Sequence, residues 1–316
     1  MLNNLINNIS LKLVYFSFVS LSFVLQVNAQ QDPNFTQYMY NTMSINPAYA
    51  GSRDVLSATL LHRSQWLGFD DAPQTQTLTV HSPLKNEQMG LGLSIVNDKI
   101  GVVSDTYLSA VYSYSIQLTR FAKIRFGLNA GARLLNVDFN RLNIEDNTDP
   151  LFANNIENKI SPQFGLGVLL SNDVYYVGIS SPALLRTNHF DGSTNENIEL
   201  RDRVHYYITS GVVLDINQNI KFKPSVLLRH VSGSPLLAEV STNFLFNDKF
   251  TLGTAYRFDS AFSGLFGFQA SDSILLGLSY DSSISDISNY NDGSIEFFLR
   301  FELFKRYKKM YTPRFF

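Results

Sequence analysis

Residues 273–281 read SILLGLSYD. Side chains alternate along an extended chain, so Ile274, Leu276, Leu278 and Tyr280 share one face and Leu275, Gly277 and Ser279 the other. The same period of two runs through residues 163–170, where Phe164, Leu166, Val168 and Leu170 interleave with Gln163, Gly165 and Gly167. In residues 295–302, Ile295, Phe297, Leu299 and Phe301 alternate with Glu296, Phe298, Arg300 and Glu302. Leu236, Ala238, Val240, Thr242, Phe244 and Phe246 alternate with Leu237, Glu239, Ser241 and Asn243. Charged and small residues keep to one face, and bulky apolar residues to the other.

Working outward, fourteen segments carry this pattern: 53–62, 74–82, 88–97, 104–118, 121–137, 161–171, 173–181, 204–216, 220–230, 235–246, 249–258, 261–271, 273–281 and 294–304. Most reach the roughly 9–11 residues that a tilted membrane strand requires. The connections alternate too. Tight ones follow segments 2, 4, 6, 8, 10 and 12; the long ones, 63–73, 138–160, 182–203 and 282–293, all fall on the other side. Short turns on one side and long loops on the other is the outer-membrane barrel pattern, with the turns in the periplasm. The expected fold is all-β: a single transmembrane antiparallel β-barrel of about 14 strands. A soluble β-sandwich is the competing fold. It would need a charged exterior.

Composition weighs against that competitor. Of 316 residues, 45% are hydrophobic, 13% aromatic and only 16% charged, against about 25% charged in soluble domains. The net charge of −2 gives no global attraction to nucleic acid. There is no cysteine, which excludes disulfides, thiolate metal sites and thiol nucleophiles.

Three parts stand outside the barrel, which is expected over 53–304. Residues 1–29 read as a signal peptide: Lys12, then the apolar run 13–25, then Val27-Asn28-Ala29 for cleavage. A membrane anchor is the alternative, but the run is shorter than the roughly 20 residues a spanning helix needs. Residues 30–52 (QQDPNFTQYMYNTMSINPAYAGS) have no period of two. They are expected to form a plug or lid at the periplasmic end of the lumen, which in a barrel about 28 Å in diameter is too wide for wall side chains to fill. Phe35, Tyr38, Tyr40 and Tyr49 argue against a free tail, because disordered segments are poor in aromatics. The tail 305–316 (KRYKKMYTPRFF) holds five positive charges and no acid, which suits an acidic partner or anionic lipid head groups, or simply a solvated end.

Motifs for chemistry are absent. No two of His62, His81, His189, His205 and His230 lie within four residues, so no HxxxH pair exists. The acidic run 145–149 lacks the glycine and spacing of a calcium loop. Gly90-Leu91-Gly92 reads as inward-facing small residues, since no helix follows to make a nucleotide fingerprint. No catalytic, metal or cofactor site is expected.

The wording of the sequence adds a resemblance. QQDPNFTQYMYNTMSINPAYAGSRD (30–54), HRSQWLGFDDAPQTQTLTVHSPL (62–84), MGLGLSIVNDKIG (89–101), LFANNI (151–156), YYVGISSPALL (175–185), KFKPSVLLRHVSGSPL (221–236), NFLFNDKFTLGTAYR (243–257) and TPRFF (312–316) resemble, in order, blocks of the PorP/SprF family of type IX secretion outer-membrane proteins. Asp71 stands where the family often has Gly, and Phe315 where it often has Tyr. The resemblance implies a non-enzymatic barrel of the Gram-negative outer membrane. It would support secretion or surface anchoring of a cargo, such as a large adhesin of gliding motility. Partners would be other secretion subunits, a peptidoglycan-binding periplasmic lipoprotein, the cargo and outer-membrane lipid, with no nucleic acid. The residues expected to meet partners are Asn46, Pro47, Ala48 and Tyr49, the basic Lys305, Arg306, Lys308 and Lys309, and the loop residues Leu151, Phe152, Leu184, Leu185 and Phe190. A plugged transporter of hydrophobic substrates, of the fatty-acid type, is the alternative; a wall-mounted hydrolase is a third.

Overall fold

The computed structural model describes residues 34–142, 155–185, 204–232, 234–285 and 290–303. The strands are β1 (Leu56–Ser64), β2 (Gln74–Pro83), β3 (Met89–Ile100), β4 (Val103–Gln117), β5 (Lys123–Val137), β6 (Ile156–Ser171), β7 (Tyr175–Ser181), β8 (His205–Val212), β9 (Leu214–Asn217), β10 (Ile220–Val231), β11 (Leu237–Phe246), β12 (Phe250–Arg257), β13 (Ala261–Ser271), β14 (Ile274–Ser283) and β15 (Ser294–Leu303). Sequence neighbours pair antiparallel, except β8 with β9, and β1 pairs with β15 from Leu56↔Leu303 to Ser64↔Ile295, which closes the ring. Closure leaves no unpaired edge in lipid.

One expected strand is two. β8 and β9 are successive halves of a single wall position, both paired to β10, so the fifteen strands make a fourteen-strand barrel. β10 pairs with β8 through Ser225–Val231 and with β9 through Ile220–Phe222; Lys223 and Pro224 make no pair on that side. Proline has no amide hydrogen, so Pro224 cannot donate to the ladder, and the neighbouring strand breaks at Val213.

The two faces sort as the alternation requires. Leu60, Leu93, Ile179, Phe262, Leu278 and Phe297 point outward and are exposed. Thr59, Arg63, Thr77, Ser113, Arg125, Glu239, Ser263 and Glu296 point inward and are buried. Such an inversion of soluble burial is stable when the outside is hydrocarbon. At one end, tight turns join the strands. Asn247 (φ 50°) and Asp248 (φ 52°) give one of them the two left-handed residues of a type I′ hairpin. The opposite end carries the long connections, and β4, β5 and β6 are the longest strands.

Inside runs residues 34–53, in three 3₁₀ turns: Tyr38–Tyr40, Thr42–Ser44 and Pro47–Tyr49. Phe35, Tyr38, Met39, Tyr40 and Ile45 pack on Leu61, Tyr207, Leu227, Ala255, Leu265 and Phe298 of the wall. Met43, Ala48, Tyr49 and Ala50 pack on Val111, Leu169 and Tyr176. Burial raises the phenols of Tyr38, Tyr40 and Tyr49 above their ordinary range, so all three stay neutral and pack as apolar rings with one polar tip.

Candidate functional site: the lumenal segment and its two anchors

The segment lies along the lumen rather than across one end. Its start binds strand residues next to the long loops, and Arg53 pairs with Glu302, which lies next to the last residue of β15 at the turn end. A lid confined to the periplasmic end would lack the loop-end contacts. Inward polar side chains occur along every part of the wall, so the segment finds partners throughout its length.

The loop-end anchor is ionic. Arg63 of β1 holds Asp281 of β14 at 2.6 Å and Glu296 of β15 at 3.1 Å; Arg257 of β12 holds Glu239 of β11 at 2.7 Å. All five side chains are buried, the most exposed at 6%. Thr36 joins the two groups. Its hydroxyl donates to Asp281 (2.6 Å) and accepts from Arg63 (2.9 Å) and Arg257 (3.3 Å). The Thr36 and Gln37 amides donate to the two oxygens of Glu296 at 3.0 and 2.8 Å. Buried charges hold in low dielectric only when paired and hydrogen-bonded, so this arrangement fixes where Thr36 must sit.

The second anchor is steric. Asn46 caps the turn Pro47–Tyr49: its side-chain oxygen accepts from the Ala48 amide at 2.9 Å. Its nitrogen donates to the Val168 carbonyl of β6 at 3.2 Å. The turn lies in slots where the wall lacks side chains. A Cβ on Gly127 would sit 2.1 Å from the Ala48 nitrogen, and one on Gly167 2.1 Å from the Asn46 side-chain oxygen. Ser180 of β7 donates to the Ile45 carbonyl at 2.7 Å, and Ser113 of β4 to the Ala50 carbonyl at 2.6 Å.

The sequence-predicted partner residues are therefore dispersed. Asn46, Pro47, Ala48 and Tyr49 are buried against their own barrel, and the face they were expected to offer a partner is taken by β4–β6. Leu184 donates its amide to the Phe164 carbonyl at 2.7 Å, and Leu185 is exposed just beyond it. Leu151, Phe152, Phe190, Lys305, Arg306, Lys308 and Lys309 lie outside the described residues. The ionic anchor was not singled out from sequence. Its signal was there, acids and bases on inward strand faces, but which acid meets which base follows from register.

The sequence profile of the type IX secretion system membrane protein PorP/SprF matches residues 27–301. The chain belongs to that family. None of the curated proteins compared matches it. Among solved structures, the PorP/SprF chain resembles the CymD monoaromatic hydrocarbon channel, at 12% identity over 89% of this chain and 96% of that one, with a TM-score of 0.51. It also resembles Omp33 of Acinetobacter baumannii, at 10% identity over 79% and 98% with a TM-score of 0.46. A Pseudomonas aeruginosa FadL homologue matches at 12% identity over 86% and 94%, with a TM-score of 0.45. CymD shows a shared barrel fold and nothing finer. As a PorP/SprF member with a closed outer-membrane-type barrel, the protein is a type IX secretion component of the outer membrane.

Proposed function

We propose that this PorP/SprF protein works by binding partners, without catalysis, to support secretion or surface anchoring of a cargo such as a large adhesin. The family match over residues 27–301 carries the reading. On it, residues 1–29 are a cleaved signal peptide and the lumenal segment is a plug. The turn end and the basic tail 305–316 meet periplasmic subunits, including a peptidoglycan-binding lipoprotein, and the long loops, with Leu184, Leu185 and the apolar residues of 151–152, meet cargo. Exposed apolar side chains on outer loops are costly in water and suit a docking surface.

The lumen supports this reading over transport of hydrophobic substrates. An apolar solute would need an apolar path, whereas the interior presents Arg63, Asp281, Glu296, Arg257, Glu239 and the segment itself. The break in the wall ladder at Pro224 lies beside buried Lys223 and Tyr176. The test is affinity capture from detergent-solubilised outer membrane. Co-purification of secretion subunits or of one large surface protein is expected; fatty-acid uptake that falls on deletion while all type IX cargo is exported normally would replace the reading with transport.

A further inference from the structure

Register fixes the shape of the outward wall between β7 and β11. Val177 pairs with Ser210, Ser210 with Val226, and Val226 with Val240, so four short side chains form one outward row across four strands. On the loop side of that row stand Ile179, Ile208 and Leu228, paired in the same way. On the turn side stand Tyr175 and the ring of Phe222, stacked on Phe244 at 4.7 Å. On β7 the two walls, Tyr175 and Ile179, are separated by about 13 Å of strand. Between the walls lies a groove of about 430 Å³, whose open side is made by Val177, Ser210, Val212, Pro224, Val226 and Val240.

The groove has a floor and does not lead into the lumen. It lies at the break in the ladder, where Lys223 and Pro224 make no pair with β8. Beneath it are Gly211, which has no side chain to fill the space, and the buried ring of Tyr176; a Cβ on Gly211 would come within 2.6 Å of that ring. Lys223 lies behind, its nitrogen 5.8 Å from the centre of the Tyr176 ring. Every lining residue is uncharged. The buried Ser225 hydroxyl lies 2.8 Å from that of Ser241, so the side-chain hydroxyls on the open side are those of Ser210 and Tyr175.

A closed outer-membrane barrel sets this wall against hydrocarbon. An empty groove there forfeits dispersion contacts along its lining. Water fills such a space poorly, because a buried water makes roughly two to four hydrogen bonds and the lining is mostly valine and proline. The surrounding medium supplies a better filler. We infer that the groove is a binding site for one acyl chain of a membrane phospholipid. The chain packs on the valine row, between Ile179 and Ile208 on one side and Tyr175 and Phe222 on the other. The groove's volume falls within the roughly 300–1,000 Å³ of small-molecule sites, so it orders a chain that a flat wall would let slide past. Tyr175 opens β7 and Val212 closes β8, so the lipid belongs to the leaflet on the turn side. The inference rests on the outer-membrane barrel and is independent of which secretion partners the protein meets.

The experiment uses the full chain, folded in a mild detergent and weighed by native mass spectrometry with added phospholipid. Three lipids separate chain from head group: dioleoylphosphatidylethanolamine, dioleoylphosphatidylglycerol and the short-chained dihexanoylphosphatidylethanolamine. Each dioleoyl lipid should be retained at one saturable copy per barrel, and the dihexanoyl lipid should not be. Ser210→Phe and Val226→Phe fill the groove from outward positions, on a wall that already carries exposed Phe262 and Phe297. Both variants should stay heat-modifiable and lose the retained lipid. Ile208→Phe, on the bulky row beside the groove, should keep it. Absence of a saturable copy overturns the site, as does retention unchanged in both filled variants or lost equally in Ile208→Phe. Equal retention of the dihexanoyl lipid would place the recognition in the head group and overturn it too. A mass of two chains without lipid would make this face a contact between copies instead.

Discussion

The two anchors of the lumenal segment hold it by different physics. At Thr36 and Gln37 the wall offers long charged side chains that reach inward to the backbone. At Asn46–Ala50 the wall offers mainly room, with backbone against Gly127 and Gly167, and only at the end of the stretch do Ser113 and Arg125 donate to the Ala50 carbonyl. The first anchor is strong through electrostatics in low dielectric and forgiving in shape. The second is weak in any single bond and unforgiving in shape. A wide barrel needs both: charges to fill radius that side chains alone cannot, and slots to set the segment's path.

The largest effect should come from closing a slot. Gly127→Val puts carbon within 2.3 Å of the Pro47 carbonyl carbon and closer still to the Ala48 nitrogen, both backbone atoms. Backbone inside a closed lumen has little freedom to withdraw, so the turn should leave its place. The expected outcome is a heat-modifiable barrel whose residues 34–53 are cut by added protease, where the native protein resists. Resistance equal to native would show that the slot is not what positions the turn.

Next is the ionic anchor. Glu296→Gln leaves Arg63 with Asp281 alone and strips a charge that two amides and one guanidinium share. Breaking a buried ion pair from one side costs about 3–5 kcal/mol. The guanidinium unfolding midpoint in micelles should fall accordingly, and Arg63→Met in the same chain should lower it further, because buried Asp281 then loses its own partner. No further fall in the double variant would mean that the Arg63–Asp281 contact contributes nothing once Glu296 is gone.

A smaller loss is expected at the cap. Asn46→Ala removes the bond to the Ala48 amide and the one to the Val168 carbonyl, at a cost of about 1 kcal/mol. The slots remain, so the path should survive and proteolysis should stay native-like. If Asn46→Ala exposes the segment as Gly127→Val does, the cap and not the slot sets the path, and the contrast between the anchors is drawn in the wrong place.

How much of this was legible in the sequence follows from the same contrast. The wall was legible because alternation is a local property: Leu278, Ser279 and Tyr280 state their faces without knowing their neighbours. Inward glycines such as Gly90 and Gly92 were legible as small, but not as seats for Ala50 and Met43, because occupancy is non-local. The break at Val213 was hidden because its cause, Pro224, lies on the next strand. The segment's course was hidden most completely. It repeats nothing, and its direction follows from where Arg63, Asp281 and Glu296 converge, which register alone decides.

The smallest effect belongs to a charge pair outside the lumen. Arg141, after β5, meets Asp71, in the β1–β2 loop, at 2.8 Å, with side chains 44% and 49% exposed. In chemistry this contact matches Arg63 with Asp281. In environment it is the opposite: water solvates both partners when the pair opens, and salt screens what remains. Exposed pairs contribute about 0–1 kcal/mol. Arg141→Gln should therefore leave the unfolding midpoint within error of native, and adding salt should change neither protein's midpoint relative to the other. The comparison with Glu296→Gln then isolates burial as the variable, because one carboxylate–guanidinium contact is lost in each. If Arg141→Gln lowers the midpoint as far as Glu296→Gln does, burial is not what gives the lumenal anchor its strength, and the ordering of all four variants has to be drawn again from the loops inward.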